Sequence, residues 1–252
     1  MNLEVYRESD LERKRTEDLV ELILSISDKR DSVLDIGARD GFFSKLLTKY
    51  FHEIIALDLE KPDVSHDKVL CVQGDITHLE FDDNSFDLVF CAEVLEHIPS
   101  LLLDKACSEL TRVASKWVLI GVPYKQDIRV GRTTCLFCGK KNPPWGHVNC
   151  FDREKLINLF PSLILKKVSF VGETNEATNF LSTFFMDLAG NPYGTYLQEE
   201  SCVHCGKKLQ NPPERNVGQK ILTKIAFKIN RIQELFTKPY PRWIHVLYQK
   251  NE

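Results

Sequence analysis

Two hexapeptides are nearly one sequence written twice, Cys135-Leu-Phe-Cys138-Gly-Lys and Cys202-Val-His-Cys205-Gly-Lys. A Cys-x-x-Cys turn brings two thiolates about 3.5–4 Å apart, as one tetrahedral zinc ion requires. The glycine after each second cysteine permits a left-handed turn that aims backbone N–H groups at sulfur. Together the knuckles offer Cys135, Cys138, Cys202 and Cys205, and four thiolates leave no open coordination position. The expected ion is therefore structural and not catalytic. The 63 intervening residues exceed the spacing of a simple zinc ribbon. The halves must then meet in space, pinning 124–150 against 190–215 as a lid. A redox pair and two disulfides are the alternative readings. Cys71, Cys91 and Cys107 stand in apolar settings as reduced core residues, and Cys150 has no assigned role.

A second constellation is Glu93-Val-Leu-Glu96-His97. On a helical turn, Glu93, Glu96 and His97 at i, i+3 and i+4 share one face and could hold one divalent ion. His147 could complete such a set. The same groups, His97, Glu93 and His147 foremost, are candidates to accept a proton from a hydroxyl or amine.

The third is the run 32–43, Ser-Val-Leu-Asp-Ile-Gly-Ala-Arg-Asp-Gly-Phe-Phe. It reads as strand, tight turn and helix, the first half of a βαβ unit. A dinucleotide fingerprint needs Gly-x-Gly-x-x-Gly. Here Arg39 and Phe42 stand where the second and third glycines would be. Asp58 lies 21 residues beyond Gly37, at the end of the next apolar run, where an acid can accept hydrogen bonds from both hydroxyls of a ribose.

The elements that must position these residues follow from periodicity. A helix over 12–26 carries Leu19, Leu22, Ile23 and Ile26 at three- and four-residue spacing. Strands are expected over 32–36, 53–59, 68–73, 85–91 and 117–122, with helices over 41–50 and 101–113. Beyond these come a helix over 151–160 with Asp152 as N-cap, a strand over 163–171, a helix over 221–236 and a strand over 243–249. In the long helix, Ile221, Ile225, Ile229, Ile232 and Phe236 fall on one face and Lys224, Lys228 and Arg231 on another. Ligands of open α/β sheets bind at the C-terminal strand ends, and Gly37, Asp58, Asp75 and Glu93 all fall there.

The pattern Asp35-x-Gly37-x-x-x-Gly41 after an apolar run resembles motif I of the class I S-adenosylmethionine-dependent methyltransferases, type 11-like, with Arg39 where that motif has glycine. Phe-Asp-Leu-Val-x-x-x-Glu93-Val-Leu-Glu-His97 resembles the family's motif after strand four, and the likeness runs over about 17–123. It implies a Rossmann-like, seven-stranded, mostly parallel sheet with antiparallel strand seven. It also implies a cofactor site of Asp35, Gly37, Ala38, Gly41, Asp58, Leu59, Gly74, Asp75, Ile76, Ala92 and Glu93, in which Asp75 and Ile76 meet adenine. Glu-x-x-Glu-His is similar to the metal-binding motif of small-RNA 2′-O-methyltransferases and to ubiquinone-pathway O-methyltransferases. Gly146-His147-x-x-x-Phe151 resembles a segment of bacterial methyltransferases of sugar and natural-product pathways, and Tyr124 falls where many members contact substrate. The implied function is methyl transfer to a small-molecule or sugar acceptor at oxygen, using S-adenosylmethionine. RNA 2′-O-methylation and an inactive zinc-binding module are the alternatives.

The resulting division is a cofactor-binding core over 1–123, a first knuckle and lid over 124–150, and core helix and strand six over 151–171. A second knuckle insertion over 172–216 and a C-terminal helix and strand over 217–252 complete it. The 252 residues are 43 % hydrophobic and 27 % charged, values ordinary for a globular chain. Net charge is −3, but from Lys207 onward ten Lys/Arg face three acids. That basic tail suits an anionic partner or a solvated helix face, so nucleic acid is a lesser expected partner beside the small acceptor. No apolar run reaches the length of a membrane span. The first residues lack a signal peptide's apolar segment, so a cytoplasmic location is expected.

Overall fold

The computed structural model describes residues 7–26 and 30–251. Residues 1–6, on which the signal-peptide reading rests, lie outside them. Helix α1 (Asp10–Leu24) leads into β1 (Ser32–Ile36), α2 (Phe42–Leu47), β2 (Glu53–Asp58), β3 (Val69–Gln73) and β4 (Phe86–Ala92). There follow α3 (Leu103–Val113), β5 (Ala114–Pro123), the two-residue strands β6 (Thr133–Thr134) and β7 (Lys141–Asn142), and α4 (Arg153–Leu159). The chain closes with β8 (Leu163–Thr174), α5 (Phe180–Leu188), α6 (Val217–Glu234) and β9 (Tyr240–Lys250).

Seven strands form one sheet in the order β3-β2-β1-β4-β5-β9-β8. Every pair is parallel except those of β9, which runs antiparallel to both β5 and β8. The expected sheet, with its antiparallel seventh strand, is the one observed. Inner strands are apolar on both sides because both faces are covered. Leu88, Phe90, Trp117 and Leu247 meet Leu19, Leu22, Ile23 and Leu47 of α1 and α2 on one face. Val89, Cys91, Val118, Ile120 and Val246 meet Ala106, Cys107 and Leu110 of α3 on the other.

Two helices differ from the sequence reading. Helix α5, unforeseen, starts at a capping box of Asn179 and Ser182. Helix α6 begins four residues early, at a second capping box of Asn216 and Gln219. Its buried side chains are Thr223 and Ala226, while Ile221, Ile225 and Ile232 face solvent. Thr174 and Tyr240 are register partners across β8 and β9, so the intervening residues 175–239 form an insertion between them. Among the described residues no helix is long and apolar enough to cross a membrane.

Candidate active site

The turn after β1 is built around left-handed backbone. Gly37 (φ 76°) and Gly41 (φ 74°) take it freely, and Arg39 takes it too, at φ 49°. The arginine therefore keeps the path a glycine would follow, in a conformation uncommon for a residue that carries a side chain. A Cβ at Gly37 would lie 2.3 Å from Val94 Cγ2, and one at Gly41 2.0 Å from Val64 Cγ2. The N–H groups of Gly37 and Ala38 both donate to the Leu57 carbonyl, at 2.8 and 3.1 Å. Asp58, at the end of β2, accepts from the N–H of Arg39 (2.8 Å) and from that of Leu59 (2.7 Å). Gly74 N–H donates to the Asp58 carbonyl at 2.8 Å, and the Asp75 carboxylate accepts from Thr77 N–H at 2.8 Å. Ile76 is buried in the core. Beneath the turn, buried Asp35 accepts from Ser44 Oγ at 2.5 Å. Burial raises its carboxyl to about 7, against the pull of the Ser44 hydrogen bond.

Past Ala92 at the end of β4, Glu93 is also left-handed, at φ 59°. The chain then turns over 95–97 without forming a helix. The helical face expected to unite Glu93, Glu96 and His97 is thus absent. Glu93 instead reaches Arg15 of α1 at 3.5 Å. The cluster that does form joins Glu96, His97 and His147, whose ligand-capable atoms all lie within 4.8 Å. Val148 and Asn149 N–H groups donate to the Glu96 carbonyl at 2.8 and 3.1 Å. The Asn149 amide donates to the Leu95 and Ile98 carbonyls at 3.0 and 2.6 Å. Those bonds seat His147 against His97, ring centroids 4.6 Å apart. His147 Nδ1–H donates to Gln126 Oε1 at 2.6 Å, which leaves Nε2 with its lone pair. Burial lowers His97 to about 4 and His147 to about 3, so both imidazoles are neutral at pH 7. Glu96 is fully buried, neither carboxyl oxygen has a hydrogen-bond partner among the described residues, and burial drives its pKa up.

The four knuckle cysteines converge. Sγ of Cys135 lies 3.7 Å from that of Cys205, and Cys138 lies 3.8 Å from Cys202. A disulfide requires about 2.05 Å, so these are free thiols, and a tetrahedron with Zn–S bonds near 2.3 Å has edges of about 3.8 Å. The knuckles are matched in detail: Cys135 N–H donates to Lys140 O and Cys202 N–H to Lys207 O, both at 3.0 Å, and Gly139 and Gly206 N–H donate to Cys135 and Cys202 O, both at 2.8 Å. Burial raises Cys135, but N–H groups of Cys138 and Phe137 outweigh it and bring it to about 7. Burial takes Cys202 up to about 12. Further bonds join the halves: Thr134 N–H to Tyr196 Oη (3.1 Å), Val203 N–H to Asn142 Oδ1 (2.8 Å) and Trp145 N–H to Gln198 Oε1 (2.7 Å). An ion pair from Arg39 to Glu199 ties the glycine turn to this insertion.

Sequence reasoning missed Arg15. It is buried, paired with Glu12 at 2.9 Å, and lies over the Phe43 and Trp243 rings. The charge-rich run around it resembles any solvated helix face, so no signal distinguished it. Gln126 was missed for the same lack of pattern.

Residues 34–117 match the family model described as Methyltransferase domain, Methyltransf_11. The chain carries a methyltransferase domain. An uncharacterised protein of Methanocaldococcus jannaschii is 39 % identical over 116 residues, 44 % of this chain and 49 % of that protein. The match thus spans about half the length of this curated relative. Among solved structures, a candidate methyltransferase of Bacillus halodurans C-125 is 14 % identical with a TM-score of 0.60, covering 94 % of this chain and 100 % of that one. N-methyltransferase NodS from Bradyrhizobium japonicum WM9, in complex with S-adenosyl-l-homocysteine, is 13 % identical with a TM-score of 0.55, over 97 % and 90 %. The [4+2]-cyclase SpnF is 14 % identical at 0.56, over 96 % and 84 %. At these identities the likeness is one of fold.

Asp35 gives a signed pH dependence. Between about pH 4 and 7 the unfolded chain ionises this carboxyl while the folded one keeps its proton, so its contribution to stability falls as pH rises and levels off above about 7. Denaturant melts of wild type and Asp35→Asn should show the wild type losing roughly 2 kcal/mol relative to the variant between pH 5 and 8. Parallel stability curves would refute a buried protonated carboxyl.

Proposed function

We propose that this protein is an S-adenosylmethionine-dependent methyltransferase acting on a small-molecule or sugar acceptor, at oxygen. The observation that carries the reading is the meeting of the left-handed glycine turn, Asp58 and Glu93 at adjoining strand ends of a methyltransferase domain. In this reading Asp35, Gly37, Ala38 and Gly41 form the wall against the methionine part. Asp58 and Leu59 take the ribose, Gly74, Asp75 and Ile76 take adenine, and Ala92 and Glu93 close the site. Packing of Val94 and Val64 against the turn requires glycine at 37 and 41, which holds the turn tight at the strand end where the cofactor would lie. The core over 1–123 with 151–171 would hold cofactor, the knuckle segments 124–150 and 172–216 would form the lid, and 217–252 would return the chain to the sheet.

Transfer from a sulfonium is an in-line displacement with a good leaving group, so the protein chiefly supplies alignment and a dry site. A hydroxyl acceptor must also lose a proton. His97, neutral and half-buried beside His147, is the assigned base, with His147 held in one tautomer by Gln126 and Glu93 held by Arg15. Because the cyclase SpnF shares the fold, cofactor binding is the property to establish first. Calorimetric titration should show S-adenosylhomocysteine binding and no NAD binding, with Asp58→Ala weakening it at least tenfold, as expected for lost hydrogen bonds to a charged group. NAD binding in its place, or full affinity in the variant, would overturn the assignment.

The four thiolates fit one structural zinc ion by donor type and by their edge lengths. Metal analysis of purified protein should find one zinc per chain, and Cys138→Ser should lose it and lower the melting temperature. Full retention in the variant would remove zinc from the account.

A second reading attaches to Glu96, His97 and His147. Two neutral imidazoles beside a buried, unpartnered carboxyl form a donor set for a divalent cation. Paramagnetic Mn²⁺ titration should show one bound ion in wild type and at least tenfold weaker binding in Glu96→Gln. No binding to wild type would leave the cluster to proton transfer alone.

A further inference from the structure

The insertion carries a surface that methyl transfer does not use. Helices α5 and α6 form an antiparallel hairpin. The Asn179 amide at the start of α5 donates to Gln233 Oε1 near the end of α6, at 2.6 Å. At the opposite end a Cβ at Gly190 would lie 3.7 Å from Gln219. With one residue per 100° of rotation, α6 has three faces. Thr223 and Ala226 mark the face turned inward. Val217, Ile221, Ile225 and Ile232 are all exposed and fall within an arc of about 80°, and the exposed Leu235 and Phe236 follow in the turn that ends the helix. Lys220, Lys224, Lys228 and Arg231, also exposed, occupy an arc of about 80° that overlaps the margin of the apolar one, with Lys228 between Val217 and Ile221. Glu234 is the one acid in the helix. At the end of the hairpin next to the sheet, Phe180 (76 % exposed) stands at the same end as Leu235 (78 %) and Phe236 (83 %).

We propose that this hairpin docks the protein onto an anionic lipid bilayer surface. An exposed apolar stripe of this length on one helix marks an interaction site. A strong apolar face bordered by lysines, on a helix of low net hydrophobicity, is the pattern that lies in a membrane interface. The charge complements anionic headgroups within a chain whose net charge is negative. A nucleic acid would pair with the bases but leave the apolar stripe in water. An antiparallel twofold contact between two copies would set the lysine arcs of both against each other. The hairpin leaves the sheet at the C-terminal end of β8, which runs parallel to β5 because both pair antiparallel with β9. The docked face therefore belongs to the edge of the sheet that holds the glycine turn. Docking of this kind is independent of the group the site transfers.

Co-sedimentation of the full chain with phosphatidylcholine vesicles, with and without phosphatidylglycerol, at low and high salt tests it. The wild type should pellet with anionic vesicles at low salt and be released at high salt. Lys224→Glu with Lys228→Glu should lower partition by at least about thirtyfold, and Leu235→Asp with Phe236→Asp should lower it at least tenfold. Circular dichroism checks that the exposed substitutions leave the fold intact. Should the aspartate pair fail to fold, the lysine pair and the salt series decide alone. Lack of pelleting with anionic vesicles at low salt would overturn the proposal, as would equal partition onto neutral vesicles. So would light scattering that shows a dimer dispersed by the aspartate pair.

Discussion

Parallel pairing at the centre of the sheet is the constraint on which the site depends. β1 hydrogen-bonds to β2 on one side and β4 on the other, with Asp35 level with Ala56 and with Phe90. Three strands running the same way end at one edge, so Gly37, Asp58 and Glu93 arrive together with no contact among their side chains needed to gather them. Register does the gathering, and register is held because both faces of these strands are buried. A slip by one residue would turn Leu34 and Val89 away from one apolar layer and into the other. The conformations that then cost energy, left-handed Arg39 and Glu93, sit at the ends of this rigid frame, where strained backbone tends to be found.

The knuckle insertion is fastened to that frame at two places. Asn149 and its neighbours clamp onto the turn that follows β4, and Arg39 reaches Glu199 from the glycine turn. Arg39, which blurs motif I as a sequence pattern, keeps glycine-like backbone and uses its side chain to bridge to the insertion. The departure from the motif is a change of partner and leaves the shape of the turn unaltered. Between the knuckles, the cluster of Cys135, Tyr196, Cys202 and Leu209 is too small to hold two long segments by apolar burial alone. The hydrogen bonds and the four converging thiols supply the rest.

Much of this was legible from the chain. Strand runs such as 117–122 are apolar throughout because they are covered on both sides, and the Asp152 cap and the duplicated cysteines are local signals. What failed were readings that required a local rule to survive its surroundings. Glu93, Glu96 and His97 have helical spacing, but the backbone turns left-handed at Glu93 and separates the first from the others. The isoleucines of α6 do share a face, as their period requires, but the period left open that this face is the exposed one and that the smaller Thr223 and Ala226 pack inward. Periodicity identifies a face without saying what it meets. Arg15 is legible only once α1 lies against Trp243, a contact between residues far apart in sequence.

The pairing of Thr174 with Tyr240 has a consequence for how the sheet is assembled. Strands that a two-residue turn could join are here closed around residues 175–239. Loop-closure entropy grows with the logarithm of loop length, and this closure costs about 3 kcal/mol more than a tight hairpin would. β9 lies between β5 and β8, so the last segment of the chain must enter the interior of the sheet and not its rim. Completion of the sheet is therefore a long-range event, and long-range closures slow folding. An insertion already compact, with its helix hairpin and cysteine cluster formed, shortens the effective loop and brings the two feet close before β9 pairs. The insertion would then also set the order in which the sheet can close.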